Sequence, residues 1–421
     1  LLYTAKIIAL PILEWVKNHR DVLKAEWAGS LRRGKETIGD IDILCVAKDG
    51  EKVIEDFVKK WGKREILAKG KTKGSIITEE GIQVDLRVVN KNEFGSALQY
   101  FTGSKNHNIE LREFALKKGY TINEYGIFKI GEKEKQIGGK EEKEIYETLG
   151  MEWIPPELRE ARGEIEAALK GELPELVKLK DIKGDLHIHS KYSDGANSIL
   201  EIAKEAEKLG YEWIVIADHS MSLKVAGGVS IEDLKKKKKE IEEINKKTKV
   251  LVIYGTEVDI LDDGNLDYPE DVLKDFDFVI AAIHTGFKQP QEKITNRVIK
   301  ALSNPYVDMF AHPTGRLIGK RDGYEINLDK VLEVAKKYKK LIEINAFPER
   351  QDLQDFYCKK AKEMGILLGI GTDAHSISQL YYMDIGVTVA RRGWLEKRNI
   401  LNTFTKKEIS DYIKKRKKRG V

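Results

Sequence analysis

Cysteine is scarce in this chain, because only Cys45 and Cys358 occur among its 421 residues. Two distant cysteines exclude a disulfide framework and a cysteine-based zinc site, and they suit a reducing compartment. We therefore expect a cytoplasmic protein. The sequence also lacks a run of about 18 apolar residues, which excludes a membrane-spanning helix. Charged residues form 34% of the chain and hydrophobic residues 41%, as in a folded protein with a highly charged surface.

The length of the chain predicts two or three domains, since 421 residues are too many for one ordinary core. A formal net charge of +5 permits a nucleic-acid partner without demanding one. The first residue is Leu1, and apolar residues recurring from Ile7 to Val16 predict a helix already under way. We expect residue 1 to be a cut point inside a longer protein.

Two aspartates two positions apart, Asp40 and Asp42, form the first motif. Residues i and i+2 of a strand face the same side, so the two carboxylates would lie together. Asp85, in the apolar run 83–87, supplies a third acid. Three carboxylates on neighbouring strands suit Mg²⁺ or Mn²⁺ and can hold two ions about 3.5–4 Å apart for in-line phosphoryl chemistry. The set predicts a nucleotidyl-transfer site, whereas an isolated Asp-x-Asp is more often a solvated turn.

Phosphate-binding groups precede these acids. Gly29-Ser30 predicts a tight turn whose backbone N–H groups and hydroxyl can bind phosphate oxygens. Arg32 and Arg33 supply forked donors for the oxygens of a triphosphate. Gly39, next to the first acid, completes the predicted nucleotide-binding set.

This segment resembles the palm of the family X DNA polymerases, the relatives of polymerase beta. A second match is the string Tyr100-Phe101-Thr102-Gly103-Ser104. In that family the turn abuts the sugar of the incoming nucleotide and discriminates against a 2′-hydroxyl. The resemblance therefore implies that Tyr100, Phe101 and Gly103 contact the nucleotide.

The resemblance continues in the residues around this turn. It implies that Asn108 contacts the base of the incoming nucleotide and that Arg112 reaches the templating base from the minor groove. The two are four residues apart and share one helix face, although ordinary polar surface is the alternative. Arg87, Glu124 and Tyr125 match positions that exchange partners when the thumb closes, with a static ion pair as the alternative.

Histidine has an uneven distribution along the chain. Six of the eight histidines follow residue 183, each at or just after an apolar run: His187, His189, His219, His284, His312 and His375. Acids accompany them, among them Asp194, Glu257 and Asp373. Imidazole mixed with carboxylate suits Zn²⁺, Mn²⁺ or Fe²⁺ rather than Mg²⁺ alone. The set predicts a multinuclear metal site, whereas a single histidine near a strand end is more often structural.

Short apolar runs alternate with Lys- and Glu-rich helical stretches from Gly184 onward, at 213–217, 250–253, 278–283, 307–311, 341–344 and 366–370. Such alternation over about 200 residues predicts a parallel α/β barrel. The histidines fall near the ends of the runs, where barrel active sites lie. The lysine run 235–239 predicts a solvated helix face.

The order and spacing of these residues resemble the polymerase and histidinol phosphatase (PHP) phosphoesterases. The resemblance implies two or three ions of Zn²⁺, Mn²⁺ or Fe²⁺. One ion would be held by His187, His189, Glu257 and Asp373, a second by Glu257, His284 and His312, and a third by Asp194, His219 and His375. Many family members have His in place of Asp194, and the harder carboxylate favours Mn²⁺ there. Lys191 and Arg316 are candidate phosphate ligands, with ordinary surface residues as the alternative.

Together the two resemblances cover nearly the whole chain and imply an α/β multidomain protein. We expect a nucleotidyltransferase palm with a mixed sheet and helices at 1–98, in which 1–20 ends a preceding DNA-binding helix, and a thumb at 99–150. A linker at 151–182 would lead to a distorted TIM-like (β/α)7 PHP barrel at 183–421. We expect the N-terminal helix-hairpin-helix domain of family X to be missing, which would place gap binding and lyase activity in question.

The resemblances imply a DNA-directed DNA polymerase for gap filling in base excision repair. The PHP domain would act as a 3′–5′ exonuclease, or process 3′ ends as a phosphatase or abasic-site endonuclease. We expect primer-template or gapped DNA and dNTPs as partners, no membrane, and a monomer. The alternatives are a phosphatase acting on a small molecule, a PHP domain that only supports the polymerase, and a template-independent nucleotidyltransferase.

Overall fold

The computed structural model describes residues 1–131 and 135–418. Its contacts divide the chain into two compact units: unit 1 is Leu1–Pro174, and unit 2 begins at Glu175. This division falls inside the stretch 151–182 that the sequence predicts as a linker. None of the helices in the two described ranges combines the length and the apolar composition that a membrane crossing requires.

Unit 1 is built on a mixed sheet and a smaller antiparallel sheet. Its elements are α1 (Leu2–Lys17), β1 (Val22–Trp27), α2 (Gly29–Arg32), β2 (Asp40–Ala47), α3 (Gly50–Trp61), β3 (Glu65–Lys69), β4 (Lys73–Ile77), β5 (Gln83–Val88), α4 (Phe94–Thr102), α5 (Lys105–Lys117), β6 (Tyr120–Asn123), β7 (Gly126–Lys129), β8 (Gln136–Gly138), α6 (Glu142–Thr148) and α7 (Glu164–Lys170). The larger sheet has the order β1-β2-β5-β4-β3, in which only β2 and β5 pair in parallel. The smaller sheet has the order β6-β7-β8.

Apolar and acidic residues alternate along strand β2, which carries Asp40 and Asp42. Ile41 and Ile43 are fully buried, whereas Asp40 is exposed and Asp42 is half-buried. The parallel register with β5 sets Asp42 directly opposite Asp85. The apolar residues therefore hold the strand in the core while the acids gather on its other face.

A buried ionic cluster fixes the C-terminal part of unit 1. Arg159 donates from Nη1 to Glu142 Oε1 at 2.6 Å and from Nε to the carbonyl of Ile154 at 2.9 Å. Arg32 donates to both oxygens of Glu142, at 2.7 and 2.9 Å, and the indole of Trp153 donates to Oε2 at 2.8 Å. Burial opposes the charge of Glu142, but Arg159 and Arg32 hold its pKa well below the ordinary value.

A second buried contact ties α7 to α5. The imidazole Nδ1 of His107 lies 2.7 Å from Glu164 Oε1, and its Nε2 lies 3.2 Å from the hydroxyl of Tyr146. Glu164 also accepts hydrogen bonds from the backbone N–H groups of Ala161 and Arg162. The residues that follow α6 thus pack as part of unit 1.

Unit 2 alternates strands and helices. Its elements are β9 (Gly184–Ile188), α8 (Ile199–Lys208), β10 (Trp213–Ile216), α9 (Ile231–Asn245), β11 (Leu251–Asp259), α10 (Glu270–Leu273), β12 (Phe278–Ala282), α11 (Gln291–Ser303), β13 (Met309–Phe310), α12 (Leu328–Tyr338), β14 (Leu341–Asn345), α13 (Asp355–Glu363), β15 (Leu368–Gly371), α14 (Met383–Arg392) and α15 (Lys406–Lys417). In the described part of the chain, seven parallel strands pair in sequence order, and a bridge between Ile188 and Ala374 joins the ends of the sheet. This nearly closed parallel barrel confirms the predicted (β/α)7 fold.

Apolar side chains fill the barrel on both faces of its sheet. One buried cluster includes Leu186, Val215, Ile253, Ile280 and Met309, each from a different strand. A larger cluster packs the strands against the helices that follow them. Because both faces are buried, the strands are continuous apolar runs and polar residues gather at their C-terminal ends.

We expect Glu142→Gln to destabilise unit 1 by about 3–5 kcal/mol, because the change leaves Arg159 buried without its counter-charge. The neighbouring Glu141→Gln is the matched control, since Glu141 forms only an exposed pair with Lys24 and should change stability little. Urea unfolding followed by hydrogen exchange in α6 and α7 measures both variants. Wild-type stability in Glu142→Gln would contradict the expectation.

Candidate active sites

The three predicted acids of unit 1 lie on two neighbouring strands. Asp40 and Asp42 are on β2, and Asp85 is in register with Asp42 on β5. Burial, together with repulsion from Asp40 and Asp85, raises the pKa of Asp42 to about 6. The charged form of such a carboxylate is disfavoured, and a bound cation would stabilise it.

Lys73 contacts this cluster and was missed by sequence reasoning. Its Nζ lies 2.7 Å from Asp85 Oδ2, and Gln83 donates to Asp85 Oδ1 at 3.0 Å. Burial alone would raise the pKa of Asp85, but the hydrogen bonds from Lys73 and Gln83 lower it. Lys73 lies on β4, two positions before Ser75, the register partner of Asp85. The sequence does not reveal that pairing.

The Gly29-Ser30 turn packs directly against the acids. Gly29 has φ +62°, and a Cβ there would lie 2.8 Å from Asp42 Oδ2. The N–H of Ala28 donates to the carbonyl of Asp42 at 2.8 Å. Only glycine meets both the left-handed backbone and the close approach, so α2 begins beside the acid cluster. Gly39 precedes Asp40 and is exposed.

Arg32 and Arg33 have protein partners in this structure. Arg32 donates to Glu142, and also to Thr102 Oγ1 at 2.8 Å. Arg33 donates to Glu160 Oε1 at 3.0 Å and to the carbonyl of Thr102. Both guanidinium groups therefore connect α2 to the turn after α4, and their predicted contact with a triphosphate stays a prediction.

The turn that resembles a sugar-binding element ends α4. Tyr100 and Phe101 stack edge to face with ring centroids 5.2 Å apart, and Gly103 follows with φ +68°. Asn108 donates from Nδ2 to the carbonyl of Tyr100 at 2.8 Å and accepts from Gln99 at 2.8 Å. Arg112 donates to the carbonyl of Asn108 at 3.1 Å. The structure thus brings Asn108 to the turn, while the base contacts of Asn108 and Arg112 stay predictions.

Arg87, Glu124 and Tyr125 line one cleft of ≈ 940 Å³ in unit 1, together with Phe101 and Lys73. The guanidinium of Arg87 lies 4.6 Å from the centre of the Phe101 ring and 3.8 Å from Asp85 Oδ2. The predicted exchange of partners by Arg87 therefore involves residues that share this cleft, and it stays a prediction.

All nine predicted ligands of unit 2 lie at or just beyond the C-terminal ends of barrel strands. They are His187, His189, Asp194, His219, Glu257, His284, His312, Asp373 and His375. Three overlapping groups have ligand atoms within 4.8 Å of one another: His189 with Asp194, His219 and His375; His187 with His189 and Glu257; and His219 with Glu257 and His284. The side chains predicted from sequence to share a site are brought together.

Glu257 is at the centre of the cluster. Its Oε1 lies 2.9 Å from His312 Nε2 and 3.4 Å from His284 Nε2. Its Oε2 lies 2.9 Å from His219 Nδ1 and 3.4 Å from His187 Nε2. Oε2 also lies 3.6 Å from His189 Nε2, so both oxygens face several imidazoles, as those of a bridging ligand would.

Asp194 and Asp373 complete the cluster on its other side. Asp194 Oδ2 lies 3.2 Å from His375 Nε2 and 3.6 Å from His219 Nε2. Asp373 Oδ1 lies 3.2 Å from His189 Nε2. The carboxylate of Asp194 therefore lies beside two other predicted ligands, His219 and His375.

The chemistry of this donor set fits metal ions. Glu257 Oε2, although fully buried, accepts no hydrogen bond from any described residue. Nε2 of His187 and Nε2 of His189 approach to 3.1 Å. Burial disfavours a charged imidazole, yet Glu257 raises the pKa of His219 to about 10 and of His284 to about 9. Divalent cations would replace these protons and satisfy the inward-facing atoms.

Further buried carboxylates orient the ligands. Glu343 Oε1 lies 2.7 Å from Nδ1 of His187, and Asp259 Oδ1 lies 2.5 Å from Nδ1 of His284. Asp185 accepts from the backbone N–H of His187 at 3.2 Å. Such partners fix the tautomer and the direction of a ligating imidazole. Glu343 and Asp259 were missed, because nothing near them in sequence marks them as part of the site.

The prediction of a solvated face for the lysine run 235–239 is wrong at Lys237, which is fully buried. Its Nζ lies 2.9 Å from Asp218 Oδ2 and donates to the carbonyls of Ile216 and Gly255 at 3.1 and 2.9 Å. The inward face of α9 needs one residue here that reaches the strand ends, and lysine can do so. Burial opposes the charge of Asp218, but Lys237 holds its pKa below the ordinary value.

Asp218 connects three ligand-bearing segments. It directly precedes His219, and it accepts from the backbone N–H of Ser190 at 2.7 Å and from the hydroxyl of Ser193 at 3.0 Å. Ser190 follows His189, and Ser193 precedes Asp194. The Asp218–Lys237 pair therefore supports the backbone on which three ligands are mounted.

A cavity of ≈ 280 Å³ opens onto the cluster and includes Arg350, which sequence reasoning missed. Nε of Arg350 lies 3.3 Å from Asp373 Oδ2. Arg316, a predicted phosphate ligand, instead donates to the carbonyls of Arg350 and Gln351 at 2.9 and 2.6 Å. Lys191 is exposed. The cation placed at the cavity is thus Arg350, which Arg316 supports from behind.

Three family models match the chain. The DNA polymerase beta palm matches residues 5–80, the DNA polymerase beta thumb matches 97–160, and the PHP domain matches 185–347. The DNA polymerase/3′-5′ exonuclease PolX of Bacillus subtilis (strain 168) is 43% identical over 411 residues, which span 97% of this chain and 72% of that protein.

Two further similarities cover part of the chain. A probable phosphatase of Thermoanaerobacter sp. (strain X514) is 35% identical over 247 residues, 56% of this chain and 96% of that protein. A crystal structure of Leishmania infantum polymerase beta aligns over 38% of this chain and 76% of that chain, with 22% identity and a TM-score of 0.34. That score is too low to support an argument about function.

In metal-free protein, the carboxyl of Asp42 should titrate near pH 6, because it is buried beside two other acids. Asp40→Asn should lower this pKa, since it removes the larger of the two repulsions. Carboxyl ¹³C shifts across a pH series measure the titration, with Asp56→Asn on α3 as the control that leaves it in place. An ordinary aspartate titration in the wild type would contradict the argument.

Lys237→Met should destabilise unit 2 by about 3–5 kcal/mol and weaken metal retention, because Asp218 would remain buried without its partner. Lys238→Met is the matched control, since Lys238 pairs with Asp275 near the surface and its Nζ lies 5.8 Å from the centre of the Tyr254 ring. Urea unfolding and metal content after dialysis against limiting Mn²⁺ give the two measurements. Equal metal retention in both variants would show that the buried pair does not support the cluster.

Proposed function

The chain belongs to the family X DNA polymerases that carry a PHP domain, and we propose that it uses the two sites described above for DNA synthesis and 3′-end hydrolysis. The relative from Bacillus subtilis, 43% identical over 97% of this chain, has both activities in its name. The observation that carries the proposal is the presence of two separate acid-rich sites, one in each unit. Both families depend on metal ions.

We assign polymerisation to Asp40, Asp42 and Asp85, which would hold Mg²⁺ or Mn²⁺. When bound, such ions neutralise triphosphate charge and activate the attacking oxygen. The chain itself would supply the N–H groups and hydroxyl of Gly29 and Ser30 to the phosphates. Lys73 would keep Asp85 ionised and oriented, because its ammonium group already pairs with that carboxylate.

We further assign nucleotide selection to the turn after α4. Tyr100, Phe101 and Gly103 would contact the sugar and base of the incoming nucleotide, and Asn108 and Arg112 the nascent pair. Asn108 is already bonded to the carbonyl of Tyr100, so a shift of the turn would move both groups together. Arg32, Arg33 and Gly39 complete the predicted nucleotide site, and Arg87, Glu124 and Tyr125 would form its switch.

We assign hydrolysis to the nine-ligand cluster of unit 2, which would hold two or three ions of Zn²⁺, Mn²⁺ or Fe²⁺. Bound ions of this kind lower the pKa of water and polarise a phosphate ester. Glu343 and Asp259 would fix His187 and His284 against rotation. Arg350 would hold a phosphate oxygen at the cavity, since its guanidinium is the cation that lines it.

The substrates and the domain bounds of the protein follow from this assignment. We propose primer-template or gapped DNA and dNTPs as substrates, gap-filling repair as the setting, and a monomer as the active form. Residues 1–98 would act as the palm, 99–150 as the thumb, 151–182 as the connection and 183–421 as the PHP domain.

A second candidate activity for unit 2 is removal of a terminal phosphate. The observation in its favour is the similarity to a probable phosphatase, which covers 96% of that protein's length. The same cluster would serve a 3′-phosphate or a phosphodiester. Substrates that end in a 3′-phosphate or a 3′-hydroxyl separate the two reactions.

The test uses a 5′-labelled primer on a one-nucleotide-gapped template with Mn²⁺, with and without dNTPs. We expect Asp40→Ala to lose extension and keep shortening, because only the polymerase acids change. His189→Ala should lose shortening and keep extension, because His189 belongs to two of the three ligand groups. Each variant is the control for the other, and a loss of 10²-fold or more is expected for the affected reaction.

Other results would contradict particular assignments. Extension without shortening in the wild type would remove the exonuclease and leave the barrel as a scaffold or phosphatase. Shortening without extension, also on a long primer-template at high protein concentration, would remove the polymerase. Loss of both reactions in either variant would show that the two sites are not independent.

A further inference from the structure

An apolar loop borders the cavity of the metal cluster. We define the lip as residues 221–227, between the ligand His219 and helix α9. Leu223, Val225 and Ala226 line the same cavity as the metal ligands. Val225 is 98% exposed and Met221 is 45% exposed, so the lip presents apolar side chains to solvent beside a highly polar site.

The lip is held in place at both of its ends. Ser222 donates its backbone N–H to Asp267 at 2.6 Å and its hydroxyl to Asp259 at 3.1 Å. The N–H of Val229 donates to the carbonyl of His219 at 2.9 Å. A Cβ at Gly228 would lie 2.0 Å from the carbonyl oxygen of Ser220. Only glycine therefore allows the backbone segments at the two ends of the lip to approach this closely.

This anchoring makes the exposure of Val225 a fixed feature of the site. Asp259, which accepts from Ser222, also contacts the ligand His284. One carboxylate therefore sets both the lip and a metal ligand, and their separation is constrained. Among the described residues of unit 2, none packs closely on the side chain of Val225, which is almost wholly exposed.

We propose that the lip binds the base of an unpaired 3′-terminal nucleotide whose phosphate lies at the metal cluster. This deepens the proposed exonuclease activity and rests on it. The terminal base packs its flat face on Val225 and Leu223, while Arg350 and the cluster hold the phosphodiester. A base has a broad apolar face that suits contacts of this kind in any sequence.

The chemistry of the cavity favours a nucleotide over a small phosphomonoester. A compact polar ester needs charged and hydrogen-bonding groups alone, and an exposed valine offers it nothing. The cavity of ≈ 280 Å³ is near the lower limit of ligand pockets, so it admits one terminal residue rather than a base pair. The lip therefore selects ends that are single-stranded or frayed.

The experiment compares two 5′-labelled single strands that differ only at the 3′ end, which carries either a normal nucleotide or an abasic one. We expect wild-type protein with Mn²⁺ to favour the normal end by about five- to tenfold in kcat/KM, from the apolar area that the base covers. Val225→Ser should bring this ratio close to one. Val225→Ile, which keeps an apolar side chain at this position, should keep the ratio at the wild-type value.

Tyr338→Ser is the matched control for loss of an exposed apolar side chain. Tyr338 is 38% exposed at the end of α12, and that helix ends where the chain returns to the start of β14. It therefore lies at the opposite end of the barrel from the cluster, and this variant should keep the wild-type ratio.

Two results of this cleavage assay would overturn the proposal. One is an unchanged ratio in Val225→Ser, and the other is a wild-type ratio of one. Calorimetry with a deoxynucleoside monophosphate and with deoxyribose 5-phosphate tests the same contact without catalysis. Equal binding of the two ligands by wild-type protein would overturn the proposed contact between the base and the lip. A preference for the deoxynucleoside monophosphate that is lost in Val225→Ser would support the contact, even if no nucleotide is removed. In that last case it is the exonuclease activity that fails.

Discussion

Buried carboxylates that need nearby positive charge are the constraint on which both sites depend. In unit 1 the parallel register of β2 and β5 brings Asp42 and Asp85 together, and burial with repulsion from Asp40 and Asp85 raises the pKa of Asp42 to about 6. In unit 2 the fully buried Glu257 lies within 3.4 Å of four imidazoles, those of His187, His219, His284 and His312. Both arrangements require positive charge, which protons or neighbouring side chains supply in part and divalent ions supply in full.

The two units meet this requirement in different ways. Unit 1 uses a side-chain cation, because the ammonium group of Lys73 reaches Asp85 from an adjoining strand. Unit 2 surrounds its acids with histidines and places a further set of buried carboxylates behind them. Glu343 and Asp259 limit the rotation of the ligands, and the Asp218–Lys237 pair holds their backbone. The ligands of the barrel site are therefore held by buried partners, whereas the cation beside Asp85 is 37% exposed.

The sequence predicts these sites well where chemistry is local. Alternation placed Asp40 and Asp42 on one face of β2, and each apolar run after Gly184 overlaps a barrel strand, five of the six with a predicted ligand at or near the strand end. The sequence does not predict residues that reach a site through contacts between segments far apart along the chain. Lys73, Glu343 and Arg350 reach the sites only through strand register or loop packing, which no periodicity encodes. The sequence does not distinguish the buried Lys237 from its neighbours, because all five residues of the run are lysines.

The bridge between Ile188 and Ala374 has a consequence for the timing of assembly. His187 and His189 follow the first barrel strand, whereas Asp373 and His375 follow the last, so the cluster combines residues almost 190 positions apart, 375 − 187. On a ribosome the N-terminal unit is complete long before β15 emerges. The hydrolytic centre therefore matures after unit 1. A nascent or truncated molecule can hold a folded sheet of the first unit while it is still unable to degrade DNA.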